Sequence, residues 1–167
     1  PAIACTANAM PEQIAQYPLP ERSASRLLVL DGASGAVVDR QFRDLPGELR
    51  AGDLLVFNDT RVLPARLYGR KRGSGGRVEV LIERLDADQR TARAHVRASK
   101  SPVAGTVLEL AEGALEAEVT GRDSDLFVLD FGTGDPLTER LERHGEIALP
   151  PYIERVPEHY DAERYQT

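Results

Sequence analysis

Between residues 65 and 131 apolar and polar positions alternate with a period of two. In 77–84, Val78, Val80 and Ile82 share one face while Arg77, Glu79 and Glu83 occupy the other. In 91–98, Ala92, Ala94, Val96 and Ala98 oppose Thr91, Arg93, His95 and Arg97. In 114–120, Leu115, Ala117 and Val119 oppose Glu116, Glu118 and Thr120. That period belongs to strands with one buried face and one wet face. Short turns punctuate the pattern: "GSGG" (73–76), "DADQ", "SPVAG" (101–105), "AEG" (111–113) and "RDSD" (122–125). They delimit six strands, at 65–71, 77–85, 91–98, 106–110, 114–121 and 126–131. Consecutive antiparallel strands with no helix between them predict a small barrel or a sandwich. Closure is favoured because it removes exposed edges.

The flanks read differently. "RLLVL" (26–30), the turn "DGASG" and "AVVDRQF" (36–42) predict a hairpin, with Gly32 and Gly35 supplying permissive backbone. "DLPGELR" predicts one helical turn, capped by Asp44 with Pro46 in its first turn. Residues 54–58 are apolar enough for a buried strand, which then stops at Asn58-Asp59-Thr60-Arg61. Beyond the alternating region, Asp135 as cap, Pro136 at the first position, Leu137 and Leu141 on one face and Gly145 as terminator predict a short helix. Arg140, Arg143 and His144 stand in its last turn, where the helix dipole favours positive charge. The proline-punctuated tail "ALPPYIERVPEHYDAERYQT" predicts extended chain. Residues 1–10 read as an extension outside the fold.

Composition narrows the class. At 167 residues the chain holds one domain, or one small domain and part of another. Apolar runs reach only four or five residues, which predicts no membrane span, and no signal peptide is evident. The single cysteine, Cys5, excludes an internal disulfide and fits a reducing cytoplasm. Three scattered histidines and one cysteine offer no metal-ligand spacing, so no metal is expected. The net charge of −6 hides a segregation. Residues 61–100 carry 11 Lys/Arg against 4 Asp/Glu, whereas 101–167 carry 5 against 15. Arg61, Arg66, Arg70, Lys71, Arg72 and Arg77 form a stretch without an acid. Such an island suits a polyanion; equally, its arginines can pair with the acidic C-terminal third inside one fold.

Two polar clusters carry candidate chemistry. In "NDTR", Asn and Asp favour a structural turn, but an Asp59–Arg61 ion pair would leave Asn58 and Thr60 for a ligand. In "RASK", Arg97, Ser99 and Lys100 stand where a strand meets a loop; read alone, this is a solvated strand end. "GSGG" lacks the spacing and following helix of a dinucleotide fingerprint and reads as a hairpin tip. His95 belongs to a polar sheet face. The proline pair in "LPPYI" either presents Tyr152 for stacking or packs a linker.

Six blocks in one order, "IAQYPLPERSASRLLVLD", "DLPGELRAGDLLVFNDTRVLPARLYGRK", "GGRVEVLIERL", "AHVRASKSP", "RHGEIALPPYI" and "ERYQT", extend from about residue 11 to Thr167. Together they closely resemble the N-terminal part of the S-adenosylmethionine:tRNA ribosyltransferase-isomerase family of queuosine biosynthesis. The resemblance implies an α+β protein in which a small six-stranded antiparallel β-barrel is inserted into a larger, here truncated, α/β domain. It implies the division 11–60, first part of the larger domain; 61–148, barrel; 149–167, return to the larger domain. It also implies that the family chain continues past "YQT" into glycine-rich motifs suited to the adenosyl donor. The present chain alone is therefore expected to be inactive.

The implied reaction uses S-adenosylmethionine as co-substrate and ribosyl donor. Its ribosyl group passes to the amine of 7-aminomethyl-7-deazaguanine at the wobble position of tRNA and isomerises to epoxyqueuosine, with release of adenine and methionine. On this resemblance Asp59 and Arg61 are the catalytic candidates, Asp59 as base. Asn58, Thr60, Arg66, Arg70, Lys71, Arg97, Ser99, Lys100 and Tyr152 are substrate- and tRNA-binding candidates. The expected partner is tRNA, the expected state a cytoplasmic monomer. Two other readings stay open: an isolated, non-catalytic tRNA-binding barrel, and a translation-type barrel with a structural role.

Overall fold

The computed structural model describes residues 11–166, which form two compact units. One comprises the chain up to Asp59 together with Pro151–Arg155; the other comprises Thr60–Pro150 and the segment from Val156 onward. The extension proposed for residues 1–10, and Cys5 with it, lies outside the described residues.

In the first unit, β1 (Arg26–Leu30) and β2 (Val37–Gln41) form the antiparallel hairpin that the sequence predicts. Asp31 shapes the turn: its carboxylate accepts hydrogen bonds from the Ser34 hydroxyl and from the Ser34 and Ala33 amides. These bonds, the Ser34 hydroxyl first, hold its pKa below the usual aspartate range. A 3₁₀ segment follows at Phe42–Glu48. Asp44 is not its N-cap; it sits three residues inside and accepts from the Gln41 amide at 2.9 Å. The residue type suits the helix start either way, because the free amides there invite a carboxylate.

The predicted strand at 54–58 is not formed. Leu54, Val56 and Phe57 are 87%, 86% and 77% exposed, and no described segment pairs with them. An apolar run becomes a strand only where a neighbour accepts its backbone hydrogen bonds.

The second unit is a closed antiparallel barrel of six strands in the order β3-β4-β5-β8-β7-β6. The strands are β3 (Arg66–Lys71), β4 (Arg77–Leu85), β5 (Thr91–Ala98), β6 (Val107–Leu110), β7 (Leu115–Asp123) and β8 (Leu126–Asp130). Their inward residues are those of the apolar register. Val78, Val80, Ile82, Ala92, Ala94, Leu115, Ala117 and Val119 are buried with Leu67, Leu108, Leu110, Phe127 and Leu129. Val96 and Ala98 pack against this core half-buried. The barrel closes through a short seam in which Gly69, Arg70 and Lys71 of β3 face Leu110, Glu109 and Leu108 of β6.

One end of the barrel is stoppered by α1 (Leu137–His144), whose Leu137 and Leu141 are fully buried in the same core. The helix starts one residue later than the sequence suggests, with Pro136 as N-cap. Asp135 instead pairs with Arg143 in the last turn. Gly145 ends α1 for a steric reason: a Cβ there would lie 1.9 Å from the Pro64 carbonyl oxygen. The tail is not wholly extended, because Asp161–Arg164 forms a single helical turn, α2. Asp161 is completely buried and accepts from the Glu158 amide at 2.8 Å.

Candidate functional site

The tetrad Asn58-Asp59-Thr60-Arg61 spans the division between the two units: Asn58 and Asp59 belong to the first, Thr60 and Arg61 to the barrel unit. All four are exposed. The expected partner of Arg61 was Asp59. Instead, the guanidinium lies 3.3 Å from Glu142 on α1. Asn58 and Thr60 are both engaged in interactions rather than free. The physical reason is reach: α1 projects Glu142 toward the strand-like entry to β3, which sequence spacing cannot reveal.

Arg61 lines a pocket of about 470 Å³ within the barrel unit, together with Val62, Pro64, Glu142, Glu146 and Glu158. Gln166 forms part of the same wall and holds it in place. Its amide oxygen accepts from the Val62 N–H at 2.9 Å, and its amide nitrogen donates to the Val62 carbonyl at 3.1 Å. This two-point clamp imitates a strand partner for a segment that has none. Gln166→Ala is expected to destabilise the unit by about 1–2 kcal/mol, as two hydrogen bonds are lost from part-buried backbone groups. Urea unfolding followed with amide exchange at Val62 measures it; unchanged protection of that amide would refute the clamp. Nothing local marks Gln166 as its partner, since the two residues are separated by 104 positions.

A similar device holds the first unit. Gln16 donates to the Tyr152 carbonyl at 3.1 Å and accepts from the Glu154 amide at 2.8 Å. Tyr152 is 56% exposed beside Ile14, Tyr17 and Arg155. It is therefore available as an aromatic surface within its own unit.

The remaining candidates lie on the barrel, but not all together. β3 runs from Arg66, which bridges to Glu146 near α1, to Lys71 at the opposite end. At about 3.3 Å per residue, these ends are on the order of 17 Å apart. Arg66 is paired with Glu79 at 3.4 Å, and Arg97, far more exposed, shares that carboxylate at 3.8 Å. Lys71, the last residue of β3, donates to the Lys100 carbonyl in the segment after β5, where Ser99 and Lys100 are exposed. Arg70 donates to Glu109 at 2.8 Å, and Arg72 reaches both Glu109 and Glu116. Hydrogen bonds from Arg70 and then Arg72 hold the Glu109 pKa below the usual glutamate range.

Much of the basic stretch is thus balanced by acids from later in the chain, the second of the two possibilities its charge allowed. Arg97, its side chain 88% exposed, and Lys100 are among the cations of the barrel that stand open to solvent. His95 stands on the wet face, 3.1 Å from Glu83. Among the described residues, no group of His, Cys, Asp and Glu has the arrangement of a metal site, and no helix is long and apolar enough to cross a membrane.

Residues 8–167 match the profile of the family described as "Queuosine biosynthesis protein". The S-adenosylmethionine:tRNA ribosyltransferase-isomerase of Stenotrophomonas maltophilia (strain R551-3) is 58% identical over 160 residues, covering 96% of this chain and 46% of that protein. The protein of the same name from Xanthomonas euvesicatoria pv. vesicatoria (strain 85-10) is 57% identical over 159 residues, covering 95% and 44%. The crystal structure of S-adenosylmethionine tRNA ribosyltransferase from Thermotoga maritima matches with 37% identity over 81% of this chain and 46% of that one, at a TM-score of 0.40. The chain spans less than half the length of these curated relatives.

Proposed function

The chain belongs to the queuosine biosynthesis protein family, and from that premise we propose that it is the barrel-bearing part of a tRNA-modifying ribosyltransferase-isomerase. The observation that carries this reading is 58% identity over 160 residues to a protein of that name. The proposed substrates are S-adenosylmethionine and a tRNA carrying 7-aminomethyl-7-deazaguanine at the wobble position. The products are epoxyqueuosine in the tRNA, adenine and methionine. We place the protein in the cytoplasm, as a monomer. The division 11–60, 61–148 and 149–167 is part of the same proposal; the grouping of Pro151–Arg155 with the first unit supports a return to that domain after the barrel, whereas the segment from Val156 onward groups with the barrel unit.

The donor's sulfonium acidifies the carbon beside it. Asp59 is proposed as the base that takes that proton, because general bases act within hydrogen-bond reach of the proton they move. Arg61 follows two residues later and carries the planar fork suited to a carboxylate or phosphate. The pocket beside Arg61 is lined by Glu142, Glu146 and Glu158, a carboxylate-rich wall compatible with a cationic donor. Asn58 and Thr60 would orient substrate polar groups. Arg66, Arg70, Lys71, Arg97, Ser99 and Lys100 are proposed to contact tRNA from the barrel, and Tyr152 from the first unit.

A specific observation also favours the narrower reading of a tRNA-binding module: the barrel closes on its own core. Binding of tRNA to this chain across a salt series tests what the two readings share. With about four phosphate contacts, the slope of log K against log salt is expected near −3. Binding that is absent, or insensitive to salt, would sink the role of the barrel in gripping tRNA. Ribosyl transfer by a family member of full length then separates enzyme from module.

A further inference from the structure

On the outer face of the barrel, Arg70 of β3 and Arg77 of β4 stand directly opposite one another. Like charges in register work against a sheet. Glu109 compensates Arg70, but Arg77 has no ion-pair partner among the described residues. A structural role leaves that placement unexplained. Next to it, Tyr68 is 44% exposed, an aromatic ring on the wet side of a strand.

Both residues line a groove of about 540 Å³ that also includes Arg70, Glu109 and Glu112. Gly69, Gly75 and Gly113 line it as well and contribute no side chains, so backbone surface is accessible. One wall is a turn with unusual geometry. Ala111, Glu112 and Gly113 have φ of 50°, 57° and 92°, three consecutive residues in the left-handed region. Only the last is a glycine, and runs of such residues are rare and concentrate at ligand clamps. The turn brings Glu112 to the groove that Tyr68 and Arg77 also line.

We infer that this groove holds one unpaired nucleotide of the RNA substrate. The base stacks on Tyr68, Arg77 takes the adjoining phosphate, and Glu112 accepts a hydrogen bond from an amino group on the base edge. The chemistry is complete for a nucleotide: a π face, a cation and an anionic acceptor around a concave, glycine-lined surface. The assignment rests on the tRNA-binding reading above and goes beyond it by naming the subsite and what occupies it.

Fluorescence anisotropy of a labelled anticodon stem-loop titrated with the chain tests it. Tyr68→Ala is expected to weaken binding about tenfold, while Tyr68→Phe and Tyr68→Trp stay within about twofold, because stacking needs the ring and not the hydroxyl. Arg77→Gln is expected to lower the salt slope by about 0.7, one single-strand phosphate contact. Thermal melts of the Tyr68 variants should coincide, as the ring lies outside the core. If the wild-type chain binds the stem-loop but the Ala variant binds equally well, the subsite is refuted and the broader reading stands. Loss of binding in both Ala and Phe variants with unchanged melts would also refute stacking. A free nucleoside monophosphate that competes as effectively as the stem-loop would make this a free-nucleotide site and overturn the RNA assignment. No binding by the wild-type chain overturns both readings.

Discussion

Gly69→Val will open the barrel. A Cβ at residue 69 would sit 2.0 Å from the Glu109 carbonyl oxygen and 2.8 Å from the Leu110 Cα, both backbone atoms of β6. Neither retreats without moving the strand. The seam these strands form has only three facing pairs, Gly69 with Leu110, Arg70 with Glu109 and Lys71 with Leu108. Separating them exposes one edge on each strand and releases Glu109 from Arg70. The expected loss is about 3 kcal/mol, toward the upper end for overpacking. For a chain of this size that lowers the melting temperature by on the order of 10 °C. Gly121→Ala in β7 is the control: a Cβ there meets nothing within 4 Å, so stability should hold to within about 0.5 kcal/mol. A Gly69→Val protein that melts with the wild type would show that the seam is not the closure point.

Asp59→Asn should remove most of the chemistry while sparing RNA affinity. The substitution keeps size and hydrogen-bonding capacity but takes away the group proposed to accept a proton. In a full-length family member carrying these residues, turnover is expected to fall about 10²–10⁴-fold, the usual worth of a positioned acid or base. tRNA affinity should change less than about threefold, since one exposed carboxylate adds little to a phosphate-driven interface. A loss of kcat/KM carried by KM alone would assign Asp59 to binding instead. Unchanged turnover would remove it from the mechanism altogether. Arg61→Lys is the informative companion, because it keeps the charge near Glu142 and removes the fork.

Particular residues show where sequence reading succeeds and where it fails. Val78, Val80 and Ile82 alternate strictly and are buried in that register; strand periodicity is a local property, written in consecutive positions. Leu137 and Leu141, one helical turn apart, are likewise buried as a pair. The run at 54–58 was read as a strand from its continuous apolar residues and forms none, because pairing depends on a neighbour that the run itself does not encode. Asp44 and Asp135 were assigned to the right helix starts but one or more positions away from the caps, as boundary residues compete for the same free amides.

The candidate site was legible as residue types, not as partners. Arg61 was marked by its polar cluster, yet its actual partner, Glu142, comes from a helix 81 positions later. Gln166 was visible only as a letter in a matching block, although it grips Val62 at two points. Tyr68 was hidden because it looks ordinary in its own strand, and Arg77 was marked only as one member of a basic stretch. Their meaning arises from the register that sets Arg77 opposite Arg70 and beside a left-handed turn.

By itself, then, the sequence determined the strands of the barrel, the hairpin before it, the helix that stoppers it, and the family through blocks in a common order. These follow from short-range chemistry, where each residue's side-chain direction is set by its immediate neighbours. Only the tertiary structure decided how the barrel closes, which acids neutralise the basic stretch and which cations remain open to a ligand. Those outcomes turn on distances across strands and between loops remote in the chain, and Coulomb and steric forces act on distance in space.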